Sequence, residues 1–262
     1  MVTSPAQTTT SSASCTELAE CGWRVITVPQ ADGSTTTIKR PLTPEEFLHP
    51  QFGDRLPNST FHDDVASHAK DILTRRYANN PTVGVYRDLL IEWDIPGQGD
   101  ICPDTFVAFG ISNKDQNRSK FIVVNEGVRP AFVLEVVSPR YRKEDRSNKV
   151  VEYARARVQE YVIVDRRRQR GQFVDEVLGY CLTEGIYQPI VPDSEGRIHC
   201  NTVGLLFSLQ DGHLAIEDAN TGSRLLSSVE LEAANESAKQ QAAEMAAMLE
   251  RYRERFGDLP EN

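Results

Sequence analysis

The segment Ala131-Phe132-Val133-Leu134-Glu135-Val136-Val137-Ser138 is a near-continuous apolar run of strand length with one carboxylate in its middle. A run without polar alternation needs cover on both faces, which predicts a central strand in a layered α/β fold. The carboxylate tightens that demand. An unpaired buried charge costs several kcal/mol or more, so Glu135 must meet a cation, a proton or several hydrogen bonds.

The neighbouring segments supply the layers. Val65, Ala69, Ile72, Leu73 and Tyr77 recur at helical period behind Thr60-Phe61-His62-Asp63, which has capping-box spacing, and predict a core helix from about His62 to Tyr77. VGVYRDLLIEWD and ICPDTFVAFG, on either side of a Pro96-Gly97-Gln98-Gly99 turn, predict a hairpin. Downstream of the central run, Asp145 can cap a helix carrying Lys149, Val150, Val151, Tyr153, Ala154 and Val158, and EYVIVD is a further buried strand. Strand, helix, strand in this order predicts a crossover between parallel strands. FVDEVLGYCL, YQPIV and the pair LLFSL and HLAIED around Asp211-Gly212 extend or flank the sheet. Near the start, WRVITVPQADGSTTTIKR predicts a short hairpin around Ala31-Asp32-Gly33, and Thr43-Pro44-Glu45-Glu46 a helix start.

A chain of 262 residues with 39% apolar content buries one sizeable core and a modest appendage. Three parts are expected: a Ser/Thr-rich disordered leader over 1–16, a main domain over 17–225 and a C-terminal helix over 226–262. In that helix Leu231, Ala238, Met245 and Tyr252 fall seven apart, with Ala234 and Met248 as companions and Gln241 and Arg255 as interruptions. This seam suits either weak pairing in a homodimer or a strut on its own domain. No apolar run spans a membrane, no basic start precedes an apolar stretch, and the odd set Cys15, Cys21, Cys102, Cys181 and Cys200 has no CxxC pair. A cytoplasmic protein with reduced, mostly buried thiols and no membrane partner is expected.

The net charge of -9 argues against coating nucleic acid by bulk attraction. Between Arg129 and Arg170, however, twelve Lys or Arg stand against six acids, a local surplus of six. Phosphate contact and ordinary solvated charge are both open readings of that segment, including its Asp165-Arg166-Arg167-Arg168 run, which reads as a strand-end turn.

Asp104, after Pro103, and Glu135 can project from one end of neighbouring strands, and the Val136 carbonyl can add a third oxygen. Such a set suits a hard divalent cation that activates water beside a phosphate. Lys149, fourteen residues after Glu135, can return on the next helix to orient water or stabilise charge on the phosphate. Each has an ordinary alternative: a turn acid for Asp104, a salt bridge to Arg129 or Arg140 for Glu135, a surface pair with Glu152 for Lys149. Glu92 and Asp94 can contribute from a nearby turn, and Ser138 can satisfy backbone groups at the strand exit.

The order Pro103-Asp104, Glu135-Val136-Val137-Ser138-Pro139, Asp145 through Lys149, and Glu160-Tyr161 to Asp165 resembles the Uma-type endonuclease family, a branch of the PD-(D/E)XK restriction-endonuclease-like superfamily. The resemblance covers roughly His62 to Asp165 and is most specific over EVVSP and DRSNKVVEYARARVQEY. It implies a restriction-endonuclease-like mixed β-sheet flanked by helices, Asp104 and Glu135 as metal-binding acids, Mg²⁺ or Mn²⁺ as cofactor, and DNA as substrate. The superfamily's lysine position is Val137 here, and the family's lysine on the following helix matches Lys149. His62 matches a polar position at the start of the first helix, as an auxiliary. The leading expectation is a metal-dependent endonuclease. A catalytically silent module that binds nucleic acid or protein is the alternative, and a glycosidase is disfavoured by the few aromatic residues near Glu135, Phe132 and Tyr141 alone.

Overall fold

The computed structural model describes residues 13–257. Most of the expected leader, residues 1–12, lies outside the described residues, while Cys15 and Thr16 already belong to helix α1 (Cys15–Cys21), capped by Ser14. The expected hairpin forms from β1 (Trp23–Pro29) and β2 (Thr35–Pro41). Helix α2 (Pro44–Leu48) starts with a complete Thr43/Glu46 capping box. Helix α3 (Thr60–Arg76) is capped by Ser59, one residue before the predicted Thr60, because the Ser59 hydroxyl reaches the His62 N–H.

Strands β3 (Val83–Tyr86), β4 (Ile91–Glu92), β5 (Thr105–Phe109) and β6 (Phe121–Ile122), the turn α4 (Val123–Glu126) and strand β7 (Pro130–Val136) follow. A wide helical turn over Glu144–Asn148 runs into α5 (Lys149–Arg155), then come β8 (Glu160–Gln169), β9 (Gln172–Thr183) and β10 (Ile186–Pro189). A three-stranded sheet of β11 (Ile198–Cys200), β12 (Leu205–Gln210) and β13 (His213–Asp218) and the long helix α6 (Ser228–Phe256) complete the chain.

The main sheet has the order β10-β9-β8-β7-β5-β3, antiparallel except for the β7–β8 pair. That pair is the predicted crossover, closed by α5. Alternation along β7 sends Phe132, Leu134 and Val136 to a core shared with Val65, Ile72 and Leu73 of α3 and Phe207 and Ile216 of the small sheet. Val133 and Val137 face the other way, against Tyr153 of α5, Phe121 and Trp93. Glu135 therefore lies between two apolar residues on the α5 face, with both sides of its strand covered.

Three expectations change. Asp145 caps no helix: it sits inside the wide turn, four residues before Lys149, with its side chain buried. Asp165 to Gln169 form no turn but continue β8, paired residue by residue with β9. Of the five thiols only Cys21 and Cys200 are buried, and all five are free. No helix of the described residues is long and apolar enough to cross a membrane.

Helix α6 is tied to the domain at its root, where Ser228 bonds through its N–H and hydroxyl to Asp71 of α3 and Arg224 pairs with Glu230. Beyond the root none of its residues is buried, so the seam of Met245, Met248 and Tyr252 meets no surface of its own domain. A chain ending after Glu232 is expected to melt within about 2 °C of the full chain, since exposed positions contribute within ~0.5 kcal/mol each. Differential scanning calorimetry at two protein concentrations checks this; a larger loss that grows with concentration marks the helix as an assembly element.

Candidate active site

Four elements bring their polar residues together at the carboxyl end of β7. Asp104 stands at the entry to β5, where the antiparallel register sets Thr105 beside Leu134 and so brings the Asp104 carboxylate to the next step of β7. There its Oδ2 accepts the Val136 N–H at 2.6 Å. The same oxygen is 3.0 Å from Nε2 of His62 at the start of α3. The wide turn and α5 supply the rest, because Asp145, Lys149 and Tyr153 at four-residue spacing share one face of the helical path. Lys149 Nζ lies 3.0 Å from Glu135 Oε1 and 2.9 Å from Asp145 Oδ1. Tyr153 donates to Glu135 Oε1 at 2.6 Å, and the Ser138 N–H donates to Asp145 Oδ2 at 3.1 Å.

The cluster is buried: Glu135 and Asp145 are each 1% exposed, Lys149 3% and Asp104 7%. Three buried carboxylates thus face one ammonium and one imidazole. Burial, with Asp104 and Asp145 adding to it against the opposing pull of Lys149, pushes the Glu135 carboxyl up to about 8. Burial also dominates at Asp145, which is raised despite Lys149. For Asp104 burial works upward as well, yet the charge and hydrogen bond of His62, with Lys149 and the Val136 N–H, hold it below the usual carboxylate range. Burial opposes the charged forms of His62 and Lys149, but the facing carboxylates outweigh it and raise both.

The cluster floors a cavity of about 300 Å³. Its other wall comes from the N-terminal segment, through Phe47, Asp54 and Arg55. Phe47 stacks on Tyr141 with ring centroids 4.2 Å apart and lies 4.9 Å below Lys149 Nζ. The Tyr141 hydroxyl is within hydrogen-bonding distance of the carbonyls of Cys21, at 2.9 Å, and Leu42, at 2.6 Å, which fastens that wall to the turn after β7.

The sequence-derived residues Asp104, Glu135, Val136, Lys149 and His62 all meet here. Glu92 and Asp94 do not, being paired with Lys120 and Arg129. Glu135 pairs with neither Arg129 nor Arg140, and Glu152 faces His49 instead of Lys149. Asp145, read from the sequence as a helix cap and as the acid four residues before Lys149 in the family match but given no site role, also lines the cavity, as does Asp88, and Tyr153 supports it. The four-residue spacing of Asp145, Lys149 and Tyr153 is the available signal.

A family model described as Uma2, putative restriction endonuclease, matches residues 56–214. The chain belongs to the Uma2 family. The crystal structure of a putative nuclease of the DUF820 group from Anabaena variabilis is similar at 13% identity and a TM-score of 0.43, over 62% of this chain and 91% of its own. No curated protein matches the chain. Phe47, Asp54 and Arg55 precede the Uma2 match, so part of the cavity wall lies outside the family segment.

The crowding of acids around Glu135 can be read in the stability of variants. Lys149→Met leaves Glu135 and Asp145 without their ammonium and is expected to destabilise the metal-free protein by about 3–5 kcal/mol. Glu135→Gln mimics the protonated carboxyl, which folding pushes from 4.5 up to about 8, so its denaturation midpoint in EDTA should equal that of the parent below about pH 4.5 and exceed it by a margin that grows up to about pH 8. Urea melts of both variants check the pair of outcomes.

Proposed function

We propose that this Uma2 chain is a divalent-metal-dependent endonuclease that hydrolyses phosphodiesters in DNA at the Asp104, Glu135 and Lys149 cluster. The observation that carries the reading is the convergence, at one sheet edge, of three buried carboxyl groups beside a single ammonium and a single imidazole, so crowded that Glu135 is pushed up to about 8 and keeps a proton that a cation would displace. Among the described residues no three His, Cys, Asp or Glu side chains form a ready cation cage. The set that suits Mg²⁺ or Mn²⁺ is smaller: the carboxylates of Asp104 and Glu135 with the Val136 carbonyl, the remaining coordination falling to water and phosphate, as is usual for Mg²⁺. When bound, such a cation supplies charge neutralisation for the phosphate and a more acidic water.

The protein groups divide the remaining work. Lys149, held charged by its carboxylate neighbours, offers an ammonium to the phosphate oxygens or orients the attacking water. Asp145 and Tyr153 keep that ammonium and Glu135 in place. His62 pairs with Asp104 Oδ2 and holds a proton next to the site. Val137, apolar and packed in the core, leaves the amine to α5. The alternative of a silent binding module draws on the same ion pair, since Lys149 already bridges Glu135 and Asp145.

Purified protein with Mg²⁺ or Mn²⁺ is expected to nick supercoiled DNA, with Glu135→Gln and Asp104→Asn inactive and Lys149→Met reduced by about 10²–10³-fold in kcat. Calorimetric titration with Mn²⁺ should give one site in the parent protein and none in Asp104→Asn. DNA cleavage of equal rate in the parent and Glu135→Gln would overturn the assignment. A parent protein that binds DNA, yet neither takes up Mn²⁺ nor cuts, would establish the silent module.

A further inference from the structure

Strand β8 outruns its neighbour. Its last pairing with β7 is Val164 with Val136, one residue after the Glu135 step, whereas its pairing with β9 continues to Gln169 with Gln172. Residues 165–169 thus form, with 172–176, a two-stranded ribbon that leaves the sheet at the edge where the carboxylates converge. At about 3.3 Å per residue it reaches roughly 16 Å beyond β7. The loop is the two residues Arg170 and Gly171, both with left-handed φ of 50° and 84°, as a tight primed hairpin turn requires.

The arginines of this ribbon fall into two classes. Arg167 is bound to Glu176 at 3.0 Å, and Arg142 and Arg146 to the buried Asp165, so these charges are neutralised within the fold. Arg166 pairs with Asp175 and lies between the rings of Phe61 and Phe173, at 5.1 Å and 4.4 Å. It also crosses Gly212, where a Cβ would meet its guanidinium at 2.6 Å. That packing braces the ribbon root against Phe61, the residue before His62. Arg168 and Arg170 differ: both are exposed and neither meets a carboxylate among the described residues. Arg168 lies over Phe173, itself 57% exposed, at 5.2 Å.

A braced, twisted β-ribbon with free guanidiniums at its tip fits the major groove of duplex DNA, which admits a two-stranded ribbon and presents phosphates to arginines along its rim. Of the twelve basic residues between Arg129 and Arg170, Arg129, Arg142, Arg146, Lys149, Arg166 and Arg167 are ion-paired. Arg140, Lys143, Arg155 and Arg157 are exposed on other elements, and Arg168 and Arg170 are the exposed pair carried by the ribbon tip. We propose that the Asp165–Glu176 ribbon is the DNA-holding arm of this protein, with Arg168 and Arg170 contacting phosphates of a duplex whose scissile bond lies at the Asp104 and Glu135 edge. The placement of the scissile bond rests on the nuclease reading; the arm's affinity for the duplex does not.

Fluorescence anisotropy of a short labelled duplex with the full chain in EDTA, across a salt series, tests the arm. Arg168→Ala with Arg170→Ala should weaken binding on the order of tenfold and lower the slope of log Kd against log salt by about 2, one unit for each phosphate no longer held. Arg168→Glu with Arg170→Glu should weaken it further. In parallel, hydrolysis of bis(p-nitrophenyl) phosphate with Mn²⁺ should be unchanged in both variants, because neither arginine touches the carboxylate cluster. Unchanged duplex affinity and slope in the variants, no duplex binding by the parent, or arm dependence on a single strand but not on the duplex each overturns the arm. Arm-dependent duplex binding without phosphodiester hydrolysis upholds the arm and overturns the nuclease instead.

Discussion

The contact on which the site depends is the Lys149 ammonium held between Glu135 and Asp145, all three buried. Strand β7 is apolar on both faces because the sheet is covered on both sides, and a carboxylate in such a strand needs a partner from another element. A long amine arriving from the next helix resolves this locally, and one turn later on the same face Tyr153 donates to the same Glu135 oxygen, Oε1. The interior thus holds three acids against two bases, and burial with the neighbouring acids leaves the Glu135 carboxyl at about 8, protonated near neutral pH.

Much of this is legible in the chain. A single acid in an otherwise apolar strand is conspicuous, and the helix that follows it is patterned clearly enough to give the parallel crossover that brings Lys149 back to Glu135. Asp145 enters the family match by its spacing to Lys149 but is not assigned to the site, because an acid ahead of an apolar-periodic segment is the ordinary mark of a helix cap. Only the burial of the turn makes its four-residue spacing from Lys149 an interior ion pair. The ribbon is hidden for a different reason. Past the end of β7 a strand has no sheet face to bury, so Asp165 to Gln169 carry no apolar alternation and read as a turn, although their backbone pairing with β9 continues unbroken.

The charge distribution of the whole chain looks different once pairing is considered. Net charge describes how the protein repels a polyanion at a distance, but half of the basic residues between Arg129 and Arg170 are used in pairs within the fold, with Asp165 alone drawing Arg142 and Arg146. Counting residues overstates the outward charge of the stretch. What remains outward is divided between the turn after β7, the end of α5 and the ribbon tip.

The wall formed by the N-terminal segment has a consequence for how such a protein can diversify. The carboxylates and the amine are locked to the central sheet and α5 by burial, so their positions tolerate little drift. Phe47, Asp54 and Arg55 shape the mouth of the same cavity from a hairpin-and-helix segment that precedes the family match and is fastened mainly through the Phe47–Tyr141 stack and the Tyr141 hydroxyl. On the proposed nuclease reading, exchange or remodelling of that segment would change what enters the cavity while the carboxylates and the amine keep their geometry, so selectivity and chemistry would be separable inheritances.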